Sequence, residues 1–273
     1  MKKKLPAFIL ATLSFQLLLA QTDSSNINSR KNTFSANVIY QSSLNYFGRV
    51  DSLHSAGFLP TIGFESKTGL YAQGAAIFVN NALESFAYNG ASVEAGYRFP
   101  ESKHFSGNVF YSRFLYKDNS ELVQSALKSQ TGINLAYKNK IVNLNAGGDL
   151  KFSDKTDVGV TLGLDHLFII PFKSIKAAIA LNPSAYAYAG TQNFTNSYIK
   201  RKNVLGIPVS QQTVQEEIKQ FDMLSYELSV PVVFVKGKFN ATVTPSYVIP
   251  QNLMPTETGK NLFYVIVSAG VRL

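Results

Sequence analysis

The chain is expected to be all-β: a closed antiparallel up-and-down transmembrane β-barrel of about twelve strands, following a cleaved signal peptide. Three observations predict this. Apolar residues recur with period two along most of the chain, short turns alternate with longer connections, and the first twenty residues have the layout of an export signal.

Lys2, Lys3 and Lys4 form a basic start, Leu5 to Ala20 is apolar, and Gln21 to Ser25 is polar. This is the order of a secretory signal, and cleavage is placed after Ala20, which leaves residues 21–273 as the barrel domain. Leu18 holds a position where a small residue is usual. Later apolar runs fall short of the roughly 20 residues that a helical span needs. Removal of Lys2, Lys3 and Lys4 lowers the formal charge from +9 to +6. The chain has no Cys, which excludes disulfides, thiolate metal sites, a Cys nucleophile and a lipid-anchored Cys. Its dense basic run, Lys200-Arg201-Lys202, lies near Glu216 and Glu217 and offers no broad basic face for nucleic acid. Contact of that run with lipopolysaccharide phosphates stays open.

Side chains alternate between the two faces of a strand, so a period of two gives each strand one apolar and one polar face. In order, strands are expected over Thr33–Tyr46, Phe58–Ser66, Gly69–Val79, Ala87–Phe99, Phe105–Tyr116 and Ser129–Lys138, then Ile141–Phe152, Asp157–Phe168, Ile175–Ala189, Asp222–Val235, Lys238–Ile249 and Leu262–Leu273. Val158, Val160, Leu162 and Leu164 face away from Asp157, Gly159, Thr161, Gly163 and Asp165. Leu224, Tyr226, Leu228, Val230, Val232 and Phe234 face away from Ser225, Glu227 and Ser229. Val265 and Val267 are assigned to lipid, and Ser268 to the interior. In Phe105–Tyr116 both faces carry aromatics, which leaves its register open.

The connections at one end are short: Lys67-Thr68, Pro100–His104, Lys138–Lys140, Ile169–Ser174 and Lys236–Lys238. At the other end they are mostly longer: Phe47–Gly57, Asn80–Phe86, Lys117–Lys128, Thr191–Phe221 and Pro250–Asn261, with Ser153–Thr156 the exception. Short periplasmic turns opposite long outer loops are the asymmetry of an outer-membrane barrel, and an even strand count puts both termini at the periplasmic end. Aromatic residues near strand ends suit the headgroup level. Pro60, Pro183, Pro231 and Pro245 lack a donor for the ladder and are read as bends or strand ends. A short helix is read over Gln211–Lys219.

The polar faces carry Glu94, Arg98, Asp149, Lys151, Asp157, Asp165, Glu227 and Arg272, the candidate lumen-lining residues. Two readings stay open for them: a charged pore or ligand site, and a network of paired charges that fills a narrow interior. His104 and Ser106 stand two apart with Asn108, which is the minimum for a Ser–His acyl hydrolase. That spacing resembles the His-x-Ser of the outer-membrane phospholipase, although His104-Phe105-Ser106-Gly107-Asn108 matches no more of its motif. His54 and His166 have no carboxylates at ligand spacing, so neither a metal nor a cofactor is expected.

With its signal ending Leu-Leu-Leu-Ala-Gln, its alternating strands, its short turns and its amphipathic final strand, the chain resembles the outer-membrane β-barrel proteins of Bacteroidota from Lys2 to Leu273. Leu273 departs from the terminal aromatic residue common in such barrels. The resemblance implies a cell outer membrane location. It also implies contact with outer-membrane lipid and lipopolysaccharide, and passage through the barrel-assembly machinery. The function expected is a non-enzymatic barrel, either a narrow passive channel or a plugged structural barrel. The alternatives are a lipid acyl hydrolase using His104 and Ser106, and a secreted soluble β-sandwich that would bury its apolar faces against one another.

If this reading holds, protein taken from the outer-membrane fraction has a mass that begins at Gln21. Recovery of the chain in the soluble periplasm, with residues 1–20 removed, would contradict the barrel.

Overall fold

The computed structural model describes residues 30–51, 53–117, 127–193, 221–253 and 260–273. The expected signal at residues 1–20, the basic run at 200–202 and the helix expected at 211–219 lie outside them.

Among the described residues seventeen strands form in order. They are β1 (Thr33–Gln41), β2 (Asn45–Tyr46), β3 (Arg49–Val50), β4 (Ala56–Glu65), β5 (Leu70–Asn80), β6 (Ala87–Arg98), β7 (Phe105–Tyr116), β8 (Ser129–Tyr137) and β9 (Asn143–Phe152). After them come β10 (Thr156–Asp165), β11 (Phe168–Phe172), β12 (Ala177–Leu181), β13 (Ser184–Gly190), β14 (Asp222–Ser229), β15 (Val232–Lys236), β16 (Phe239–Pro250) and β17 (Leu262–Arg272). The pairs β10/β11, β12/β13 and β14/β15 are each one span with an interruption, and β2 and β3 form a separate hairpin. The result is a closed antiparallel barrel of twelve spans.

Every neighbour along the wall is antiparallel, and the last strand returns to the first. β1 pairs β17 from Ser35↔Arg272 to Gln41↔Ile266. Phe34 and Leu273 exchange both backbone bonds at 3.0 and 2.8 Å. Closure has a direct energetic cause, because hydrocarbon offers no partner for the N–H and C=O groups of an edge strand. Among the described residues the one other sheet is the two-residue-strand β2–β3 hairpin, far too small for a second sandwich layer, and the large apolar side chains of the closed wall face outward, so the sandwich alternative is overturned. Ile62, Leu162 and Phe34 are 71%, 58% and 60% exposed. In water such a surface would be an association hazard, whereas in a bilayer it is the lipid contact. No helix among the described residues is long and apolar enough to cross a membrane.

The register of β7 is resolved by pairing. Ser106, Asn108, Phe110, Ser112, Phe114 and Tyr116 face the lumen, and Phe105, Val109, Tyr111 and Leu115 face out, since Asn108 lies opposite Arg98 and Asn134. Several expected boundaries move. The first span stops at Gln41 instead of Tyr46, because Ser42–Ser55 turns into the barrel. β9 starts at Asn143 instead of Ile141, where the Asn139 carboxamide accepts the Ile141 N–H at 3.2 Å and so closes a local turn. The eighth span continues past Phe168 to Phe172. A single 3₁₀ turn, Lys173–Ile175, ends at left-handed Lys176 and delays the next strand to Ala177. Leu224 was expected to face out. A register shift opposite Tyr188/Ala189 makes it the extra residue, and it turns inward to 2% exposure.

The interruptions share one level. His166–Leu167, Asn182-Pro183 and Val230-Pro231 separate the halves of three successive spans, and Pro245 lies at the same height on the next. Proline removes a ladder donor, and the remaining groups pair across the gap: Val230 N–H reaches Pro245 O at 3.1 Å, and Asn182 N–H reaches Pro231 O at 3.0 Å. Pro183, Pro231 and Pro245 thus stand at one level on three neighbouring spans, and the first two interrupt theirs. Pro60 acts differently: the β4–β5 ladder skips Leu59 and Pro60, so its missing donor falls in a local irregularity.

Adjacent substitutions test the two faces. Val160→Arg points into lipid and should cost about 2–4 kcal/mol near mid-membrane, whereas Thr161→Arg enters the polar lumen and should be nearly neutral. The measurement is the fraction of refolded protein that shows heat-modifiable migration on a detergent gel, and equal losses would refute the register.

Candidate functional site

The lumen is built from the inward residues of all twelve spans, and its half toward the long loops is occupied by the chain itself. After β1 the chain doubles back as the β2–β3 hairpin, with Asn45 opposite Val50 and Tyr46 opposite Arg49. Its two turn residues, Phe47 and Gly48, have φ of 53° and 79°. Positive φ at both positions is what a tight primed turn requires. Glycine takes that conformation freely, whereas a phenylalanine there is strained and needs compensating contacts. Phe47 has them: its ring centroid is 4.4 Å from Tyr46 and 5.3 Å from Tyr188, and the Lys151 ammonium lies 5.8 Å from it.

Leu44, Tyr46 and Phe47 join one buried cluster with Ile39, Leu59, Ile77, Tyr188, Leu224, Val248 and Ile266. These partners come from spans on opposite sides of the barrel, so the cluster bridges the bore. The close fit continues at Gly57, where a Cβ would come within 2.6 Å of the Leu44 side chain.

Arg49 fixes the hairpin. Only 2% exposed, it donates to Gln192 Oε1 at 2.7 Å, to Gln251 O at 3.3 Å, and to Phe47 O and Leu224 O at 3.4 Å. One guanidinium thus ties the first long loop to residues after β13 and β16. A buried charge with several acceptors is stable, but its removal leaves those acceptors unpaired. Asp51 shapes the return, accepting the N–H groups of Leu53 at 2.7 Å and Ser55 at 3.3 Å.

Toward the short-turn end the lumen becomes polar. Glu94 accepts from Ser112 Oγ at 2.7 Å, Tyr71 Oη at 3.1 Å and Gln73 Nε2 at 3.2 Å. Asn108 donates to Tyr71 Oη at 3.2 Å and accepts from Asn134 at 3.4 Å. Arg98 pairs with Glu65 at 3.3 Å and lies over the Tyr71 ring at 5.0 Å. Asp165 accepts from Asn143 at 2.8 Å and Asn145 at 2.5 Å.

The remaining candidate residues lie higher or at the seam. Asp149 and Lys151 form a direct ion pair on β9. Asp157 accepts from Thr191 Oγ1 and from Asn193 N–H, both at 2.7 Å. Glu227 accepts from Tyr264 Oη at 3.0 Å. Arg272 stands on the inward register of β17, opposite Ser35. All eight candidates thus hold inward positions, but they form no single cluster. They divide into a lower group around Glu94 and Arg98, an upper group beside the hairpin, and separate points at Asp165, Glu227 and Arg272.

His104 and Ser106 are not brought together. His104 precedes β7, and its exposed ring stacks on the outward Tyr137 at 6.0 Å, while Ser106 faces the lumen. The residues missed by sequence reasoning are Tyr46, Phe47 and Arg49 in a stretch read as strand end and loop, together with Tyr71, Gln73 and Ser112. The Tyr46-Phe47-Gly48-Arg49 string did carry a signal: an aromatic pair before a turn glycine inside a nominally solvated loop. Among the described residues no group of His and carboxylates could hold a metal ion.

No family model matches the chain, and no curated protein matches it in sequence. Solved outer-membrane barrels match in fold. An outer membrane channel from Pseudomonas putida F1 aligns with a TM-score of 0.50 at 10% identity, over 93% of this chain and all of that one. The KdgM porin aligns with a TM-score of 0.49 at 10% identity, over 88% and 98% of the two chains, and the NanC porin with 0.49 at 9%, over 88% and 100%. The fold is that of an integral outer-membrane β-barrel.

Because the chain has no native Cys, a single introduced one reports hairpin position. Phe47→Cys should resist a membrane-impermeant maleimide in the otherwise native protein. Added Arg49→Ala should raise its labelling rate at least tenfold, since several hydrogen bonds of about 1 kcal/mol or more are lost. Rapid labelling without Arg49→Ala would show that the hairpin does not seat in the lumen.

Proposed function

We propose that the protein is a narrow passive channel of the outer membrane, held closed at its outer half by its own first loop. The observation that carries this is the Asn45–Val50 hairpin, which is folded inward and anchored by Arg49 above a polar vestibule. A barrel that serves only as a structural post would gain most from an apolar core along its whole length. Here the lower interior is instead lined by amides, hydroxyls and charges, the lining expected of a water-filled path. Resemblance in fold to a Pseudomonas channel supports the same reading.

Hydrophobic burial of Leu44, Tyr46 and Phe47 makes closure the resting state. Opening must lift three apolar side chains from the cluster and replace the acceptors of Arg49. The path beneath is mildly acidic, since Glu65, Glu94 and Asp165 face Arg98 and Arg272 on the inward registers. Small cations are therefore favoured over small anions.

Planar-bilayer recording tests the proposal. The intact protein should show rare, small current steps. A variant with residues 45–50 replaced by a Gly-Ser link should show steady steps at least several-fold larger, with a reversal potential in a KCl gradient that marks modest cation preference. Glu94→Gln in that background should reduce the preference. If the loop-shortened variant folds to a heat-modifiable barrel yet carries no current, the plugged structural barrel is the correct reading.

A further inference from the structure

The lipid-facing wall is not uniformly convex. On its outer surface an apolar groove of about 730 Å³ crosses from the end of β6 and the start of β7 to β14, a volume within the range of small-molecule sites. Its walls follow two adjacent rungs of outward residues. One rung runs Phe105↔Tyr137↔Leu144↔Leu164↔Ala185↔Leu228 and the other Leu135↔Ala146↔Leu162↔Ala187↔Tyr226, each step being a direct cross-strand pair. Ala146, Ala185 and Ala187 keep the floor low between leucines and aromatics. The strand interruptions at His166–Leu167, Asn182-Pro183 and Val230-Pro231 lie just beyond Asp165, Ser184 and Ser229, beside the end of the groove that carries Ala185. Strands of a barrel lean about 35–45° from its axis. A furrow that runs across the strands therefore climbs obliquely from the turns into the hydrocarbon, the course an acyl chain takes.

The end at Phe105 and Tyr137 meets two short turns with a different chemistry. Lys103 and His104 are exposed in the first, and Lys140 in the second. Lys138 is already committed to Glu101 at 3.0 Å. His104 is held on the Tyr137 ring, and the Lys138 N–H donates to His104 O, so the two turns form one platform. Lys103 and Lys140 make no ion pair within the described residues. An apolar furrow that ends between two unpaired lysines is complementary to an amphiphile with an anionic head.

We infer that this groove is a binding site for one anionic phospholipid of the periplasmic leaflet, its acyl chain along Ala146, Leu162 and Ala185 and its phosphate between Lys103 and Lys140. The inference rests on the membrane-barrel reading, with the short turns toward the periplasm, but not on the channel proposal. That orientation selects the source: a lipid entering at the short turns comes from the inner leaflet, so lipopolysaccharide is excluded.

The test is native mass spectrometry of the refolded full chain released from detergent with phosphatidylglycerol or with phosphatidylcholine of identical chains. The native protein should retain one phosphatidylglycerol through detergent exchange and retain phosphatidylcholine at least tenfold less. Lys103→Gln with Lys140→Gln should remove that preference by roughly tenfold or more, as expected for two lysines at a lipid surface. Ala185→Trp, which fills the furrow without touching a charge, should lower retention of both lipids. Lys67→Gln with Lys236→Gln, on turns away from the groove, should change nothing. Inorganic phosphate should not displace the lipid. Heat-modifiable migration is scored for every variant. A native chain lacking it refutes the barrel reading itself, and a variant lacking it is replaced by Lys103→Ala with Lys140→Ala or by Ala146→Phe. Equal retention of the two lipids, equal loss in the Lys67/Lys236 pair, or displacement of phosphatidylglycerol by lipopolysaccharide would overturn the site.

Discussion

A backbone that crosses hydrocarbon must satisfy every N–H and C=O within itself, and the rest of this structure follows from that requirement. With strands in place of helices, the requirement is met when the last strand finds the first. The β1–β17 ladder is thus the contact on which the fold depends, and the paired bonds between Phe34 and Leu273 carry it to the rim. Without the seam each of these strands would present a long unpaired edge to lipid, at a cost that no amount of outward leucine offsets.

Closure creates a second problem on the inside. A sheet of twelve spans encloses more space than its own side chains fill at every level, and each solution used here has its own chemistry. Near the short turns, amides and carboxylates bind one another across adjacent strands, as at Glu94 and Asp165. Near the long loops, the chain supplies a hairpin whose Tyr46 and Phe47 complete an apolar layer and whose Arg49 is satisfied by backbone carbonyls and Gln192. The two halves differ in how they open to change. The polar half is held pair by pair, whereas the apolar half is cooperative, because the hairpin must leave as a unit.

Much of the wall was legible in the sequence. Side-chain alternation is a strict consequence of strand geometry, so Val158 to Leu164 and Phe263 to Val271 announced their outward faces, and turn lengths announced the topology. What the sequence concealed was what breaks the period. Leu224 reads as outward in its string until a register shift on the neighbouring strand turns it in, and that shift is a property of the pair. The aromatics of β7 fit either face until Asn108 is seen opposite Arg98 and Asn134. Pro183, Pro231 and Pro245 were readable as local bends or strand ends, but their alignment at one level depends on register across three spans. Tyr46 and Arg49 were hidden for another reason: a loop that folds into its own barrel keeps loop composition while acquiring the burial of a core. The same gap between spacing and geometry separates His104 from Ser106, which share a nominal face but lie on either side of a strand's beginning.

The seam can be tested in a chain that contains no native cysteine. Ile39 and Ser268 face each other across β1 and β17 on the inward side, at a position between the hydrogen-bonded pairs. Such positions bring Cα atoms to about 4.5 Å, within reach of a disulfide. In the double variant Ile39→Cys/Ser268→Cys, mild oxidation of the folded protein should form the bond nearly quantitatively, read as a two-proton mass loss and as faster migration of the boiled, unreduced chain. Ile39→Cys/Val267→Cys, with one thiol turned toward lipid, should not form it. Absence of the bond in the first variant, or equal bonding in both, would mean that the sheet does not close as described.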